Sequence, residues 1–163
     1  MARPTATTAP TDRRGGLLAA LTRLRDALLG RRLALPAELL RRYPELRGAR
    51  WRVGGLAPRV GGWCLGTATV SGITLWRTVF LAPRAALSPA LLLHELRHVH
   101  QFGASRAFPV QYCWESLRRG YRSNRFELDA DAFAWRLLAE RPADAVPVLL
   151  AGDVERHSLA EGS

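Results

Sequence analysis

Leu91-Leu92-Leu93-His94-Glu95-Leu96-Arg97-His98-Val99-His100-Gln101-Phe102 is the stretch on which the reading of this chain turns. Leu92, Leu96 and Val99 recur at helical spacing, and Ser88-Pro89 just upstream supply an N-cap and a proline at the first helical position. A half-buried helix is therefore expected. On it His94 and His98 stand one turn apart on the same face, so both imidazoles can reach a single ion. Glu95 is rotated to the side of that pair, better placed to touch a water held by the ion than the ion itself. Ligands that hold an ion and a separate carboxylate that moves protons are the division of labour a zinc hydrolase needs. The competing reading is two satisfied histidines on a core helix with a chance glutamate between them.

A catalytic zinc site takes three protein ligands and keeps one position open. The extended pattern H-E-x-x-H-x-x-G-x-x-H would supply the third from the same segment, but its last two positions are Gln101 and Ala104. His100 is rotated away from His94 on the helix, and His157 lies in a polar tail. The better candidate is Glu127, in Asn124-Arg125-Phe126-Glu127-Leu128-Asp129-Ala130-Asp131. Phe126, Ala130, Phe133, Ala134, Leu137 and Leu138 form one apolar stripe there, with Glu127 and Asp131 at its margin one turn apart. Acids at a core margin cost free energy unless they are paired or bind metal. Glu127 can bind zinc while Asp131 accepts the outer N–H of a histidine ligand and fixes its tautomer. Asp129 points elsewhere and reads as solvated. The alternative is that Glu127 and Asp131 pair with arginines such as Arg97 or Arg122.

With those residues in place a resemblance can be named. His-Glu-x-x-His followed by a helix bearing Glu127-x-x-x-Asp131 resembles the gluzincin clan of zinc metallopeptidases. The short chain, the strands ahead of the histidine helix and the Gly120 to Glu127 lead-in are similar to small bacterial minigluzincin-like proteins. Residues 126–134 also resemble the glutamate helix of ImmA/IrrE-type regulatory metallopeptidases. The likeness covers roughly Trp51 to Leu138. It implies a zincin-like α+β fold, Zn2+ held by His94, His98 and Glu127, Glu95 as general base and acid, Asp131 behind a ligand, and a peptide or protein substrate. The chain is too short for a full substrate-binding C-terminal domain, so the transition-state donors of such a domain have no counterpart. Tyr112 and Tyr121 are candidates by position alone, and core aromatics otherwise.

The 163 residues, 48% of them hydrophobic, suit one folded domain. No run of about twenty apolar residues is present, so no membrane span is expected, and residues 1–16 lack an apolar signal core, which points to the cytoplasm. The formal charge is +10, carried by arginine without any lysine. Such a charge admits a nucleic-acid partner, but the arginines are scattered in short groups without interleaved aromatics, which weighs against it. Cys64 and Cys113 have no metal or redox spacing and read as buried thiols.

In chain order, residues 1–15 read as a disordered tail, 16–157 as a single zincin-like domain and 158–163 as a polar tail. Leu17, Leu18, Leu21, Leu24, Leu28 and Leu29 predict an amphipathic packing helix, and a second short helix can start at Pro36. From Trp51 to Ala82, β-branched and aromatic residues predict three to four short antiparallel strands, with a hairpin of Cys64–Val70 and Ile73–Trp76 around Ser71-Gly72. One strand would be an edge beside the metal, where an extended peptide could pair. The rival from another class is a zinc-stabilised binding or regulatory protein with little turnover, which Glu95 argues against, since no water need be activated there.

Overall fold

The computed structural model describes residues 13–58, 70–141 and 150–153, with the side chains of 13–18 left out. Helix α1 (Arg13–Leu29) leads through strand β1 (Arg31–Arg32) to helix α2 (Ala37–Arg42), a 3-10 turn (Pro44–Gly48) and strand β2 (Arg50–Val53). Strands β3 (Gly72–Leu75) and β4 (Thr78–Leu81) precede three helices, α3 (Pro89–Ala104), α4 (Phe108–Arg119) and α5 (Arg125–Glu140), with a 3-10 turn (Tyr121–Ser123) between the last two. The architecture is α+β, as expected. None of the helices is long and apolar enough, among the described residues, to cross a membrane.

The four strands lie in the order β1-β2-β4-β3. The antiparallel expectation is corrected: β2 pairs parallel to β4, with Trp51 opposite Val79 and Val53 opposite Leu81, while β1–β2 and β3–β4 are antiparallel. The sheet is mixed because the chain between β2 and β4 must cross over, which a run of hairpins would not require. A hairpin is also present among the described residues. It joins β3 to β4 through Trp76-Arg77, where Trp76 takes φ +55 and packs on Phe102 with ring centroids 6.2 Å apart. A positive φ at the first turn residue suits a two-residue hairpin. The stretch 64–69 of the expected hairpin, with Cys64, lies outside the described residues, as do tail residues 1–12 and 158–163. The first helix begins at Arg13, inside the stretch read as tail.

The helix α3 lies between the sheet and α5. Ser88 caps it, its Oγ accepting from the Leu91 N–H at 3.2 Å, and Pro89 fits the first turn, where no N–H partner exists. Leu92, Leu93 and Leu96 are fully buried against Val79 and Leu81 of the sheet and Ala134 and Leu137 of α5. Tyr43, fully buried, ties the front of the chain to the end of α5 by donating to the Arg141 carbonyl at 2.8 Å. Two expectations fail at the periphery. Leu21, Leu24, Leu28 and Leu29 of α1 are 46–57% exposed and do not pack, and Cys113 is exposed. Periodicity places leucines on one face of a helix, but nothing local decides whether that face meets the core.

Asn124 positions α5. Its Oδ1 accepts from the Phe126 N–H at 2.9 Å, and its Nδ2 donates to Ser116 Oγ at 2.8 Å and the Tyr112 carbonyl at 3.2 Å, so one buried amide caps α5 and locks it to α4. Asn124→Ala removes a cap and leaves buried partners unsatisfied, which should cost about 2–3 kcal/mol. Denaturant unfolding measures this, and a loss below about 0.5 kcal/mol would mean the lock is not used.

Candidate metal centre

His94, His98 and Glu127 converge from two packed helices. His94 and His98 project from one face of α3, and Glu127, in the first turn of α5, meets them across the helix interface. Their candidate ligand atoms all lie within 4.8 Å of one another, so this group could hold a metal ion. The individual distances are tighter: His94 Nε2 to His98 Nε2 3.2 Å, His94 Nε2 to Glu127 Oε2 3.3 Å and His98 Nε2 to Glu127 Oε1 3.2 Å. The two Glu127 contacts use different carboxylate oxygens, so the carboxylate spans the histidine pair.

The outer nitrogens decide what these contacts mean. His94 Nδ1 lies 2.8 Å from Asp131 Oδ1, and His98 Nδ1 lies 2.8 Å from Gln101 Oε1. Both partners are acceptors, so each ring carries its hydrogen on Nδ1 and, when neutral, turns an Nε2 lone pair inward. Two lone pairs and a carboxylate facing one another repel unless a cation joins them. Protons are the substitute. Burial disfavours a charged His94, but the hydrogen bond of Glu127 and the charges of Glu95 and Glu127 outweigh it and raise its pKa to about 9. Burial likewise opposes a charged His98, and Glu127 and Glu95 again raise it. Burial would push Glu127 up, yet the hydrogen bonds from the two histidines hold it well below the usual carboxylate range. A site that draws cationic charge, with its donors preset, could hold a metal ion.

The surroundings correct two sequence expectations. Asp129 is not merely solvated: its Oδ2 accepts from Arg97 Nε and from Gln101 Nε2, each at 2.7 Å, and the Arg97 hydrogen bond lowers its pKa. Arg97 therefore pairs with Asp129, and the alternative partners Glu127 and Asp131 face the histidines. Tyr112 donates to Glu127 Oε1 at 2.7 Å, behind the ligand position, and its pKa is raised first by burial and then by the charge of Glu127. That hydroxyl is engaged by the ligand carboxylate. Tyr121 lines the open cleft, of about 640 Å³, with His94, Glu95, Asp131 and Arg122. Its pKa is raised by burial and the Glu127 charge, so it remains a protonated donor.

In the sequence Gln101 stands only where the extended motif has its glycine. It instead orients His98 with its oxygen while its Nε2 also donates to the Phe126 carbonyl at 3.0 Å, joining α3 to the ligand-bearing turn of α5. Its place three residues after His98 was the available signal. Gln101→Leu should weaken zinc binding by about 10- to 100-fold in chelator competition; an unchanged affinity would show that the ring needs no such support.

Glu95 stands apart from the three candidate ligands, 5% exposed, where α3 meets β3. Thr74 donates to its Oε2 at 2.7 Å. Two residues earlier on the same strand face, Gly72 lies so close that an added Cβ would sit 2.5 Å from Oε1 and 2.8 Å from Cδ. Burial raises the Glu95 pKa, against the charge of His98 and the Thr74 hydrogen bond. A carboxyl raised by desolvation and set beside a candidate metal site has the character of a proton-exchanging group. Compared with known proteins, the chain matches no family model, no curated protein and no solved structure.

Proposed function

We propose that this protein is a zincin-like, zinc-dependent peptidase. The observation that carries the reading is the convergence of His94, His98 and Glu127 within reach of one ion, with Glu95 beside His94 on an open cleft. Zinc rather than a harder ion suits two imidazoles and one carboxylate. When bound, zinc supplies an electrophile and lowers the pKa of a water toward about 7. Glu95 takes the proton of the attacking water and returns it to the leaving amine. Asp131 and Gln101 keep the candidate ligand rings in register, and Tyr121, on the same cleft as Glu95, is the candidate donor to the oxygen that gains charge.

The substrate's own backbone has a partner. Among the described residues β3 is an outermost strand of the sheet, next to Glu95, so an extended peptide could add main-chain hydrogen bonds along it. The rival, a binding protein stabilised by zinc, has no use for a buried carboxylate socketed by Thr74 and Gly72. Hydrolysis of a fluorogenic peptide library by the zinc-loaded protein, abolished by chelator and restored by zinc, is the expected result. Full zinc occupancy without cleavage would favour the rival.

Thr74→Val keeps shape but removes the donor to Glu95. It should lower kcat roughly 10-fold with KM and zinc content unchanged, and Thr74→Ser should recover most of the loss. Equal kinetics for wild type and Thr74→Val would show that the hydroxyl does not hold the base.

A further inference from the structure

The helix α4 is amphipathic in the reverse of the usual sense. Three of its polar groups turn inward, Tyr112 to Glu127, Ser116 to Asn124, and Glu115 buried beside Arg119 and Arg125. Phe108 at its start is buried, but the aliphatic groups and Trp114 that follow turn outward. Pro109, Val110, Cys113, Trp114 and Leu117 are all exposed and occupy one continuous sector about 140° wide at 100° per residue. Val110 is 74%, Trp114 57% and Leu117 81% exposed, so they project rather than line a groove. Single exposed apolar residues are ordinary, but a full helical stripe is not.

Charge indicates what covers it. Between 105 and 125 there are five arginines, Arg106, Arg118, Arg119, Arg122 and Arg125, and one acid, Glu115, a net charge of +4 (five minus one). Arg118 lies over the Trp114 ring at 5.8 Å, on the border of the stripe. A second copy of this chain, also +10, would bring like charge to like charge. A polynucleotide would find the charge but no use for valine, leucine and proline. A projecting apolar ridge with tryptophan, bordered by arginine, has the character of a helix that lies in a lipid interface.

We propose that α4 docks the protein on an anionic membrane surface, Val110, Trp114 and Leu117 entering the headgroup boundary and the flanking arginines pairing with lipid phosphates. This binding goes beyond the peptidase reading and does not depend on it. Flotation of the full chain with phosphatidylcholine vesicles, with and without phosphatidylglycerol, tests it. Wild type should partition at least about tenfold better onto the anionic vesicles. The double variant Trp114→Ser/Leu117→Ser, altered only at exposed positions, should keep its thermal unfolding and lose roughly tenfold or more of that partition. Arg106→Gln/Arg118→Gln should lose partition and salt sensitivity together. Equal partition onto neutral vesicles, or full binding by the serine variant, overturns the proposal. So does a dimer in sedimentation that the serine substitutions dissolve, or an RNA oligomer that binds through the stripe in their place.

Discussion

Replacing Glu95 with glutamine should lower peptide hydrolysis by about 10²- to 10⁴-fold while leaving fold and zinc content as in wild type. The side chain keeps its volume in the pocket made by Gly72 and its oxygen for the Thr74 hydroxyl, so structure is preserved. On the proposed mechanism, what is lost is the group that takes and returns a proton. Glutamine also removes a negative charge that raises the pKa of both histidines, so zinc affinity should shift only modestly. Assays at saturating substrate separate the two effects. Full turnover by Glu95→Gln would remove the residue from the mechanism.

The second large effect concerns metal and stability together. Zinc added at about a thousandfold over its dissociation constant should stabilise the metal-free wild type by about 4 kcal/mol, a rise in Tm of roughly 10 °C for a chain of this size. Glu127→Ala should abolish that rise and reduce bound zinc from about one ion per chain toward none. The loss follows because Glu127 is, among the described residues, the carboxylate that reaches both inner nitrogens. Protons compete with zinc for the same lone pairs. His94 keeps its proton up to about pH 9 in the metal-free protein, so zinc uptake at neutral pH should release protons and affinity should climb with pH to that point. A pH-independent affinity, or a Glu127→Ala protein with an unchanged thermal shift, would contradict the assignment.

Much of this centre was legible because its key relations are local. His94, Glu95 and His98 lie within five residues of one helix, whose angular period sets their relative directions whatever surrounds them. Glu127 and Asp131 were legible for the same reason, as acids one turn apart at the edge of an apolar stripe. The relations that went unread are those made between elements. Asp129 does point away from Glu127, as its two-residue offset requires, but it points at Arg97 and Gln101 of the neighbouring helix. Thr74 reaches Glu95 only because β3 ends up outermost on the helix side, and parallel pairing of β2 with β4 depends on a crossover that alternation within a strand does not encode. Nor does leucine periodicity reveal that α1 and α4 turn apolar faces to solvent.

X-ray absorption at the zinc edge on the purified full chain tests the central claim most directly. The account predicts about one zinc per chain with two nitrogen ligands and oxygen ligands at about 2.0–2.1 Å, and loss of that spectrum in His98→Ala and Glu127→Ala. A sulfur shell at about 2.3 Å, six oxygens from water alone, or no bound zinc would contradict it.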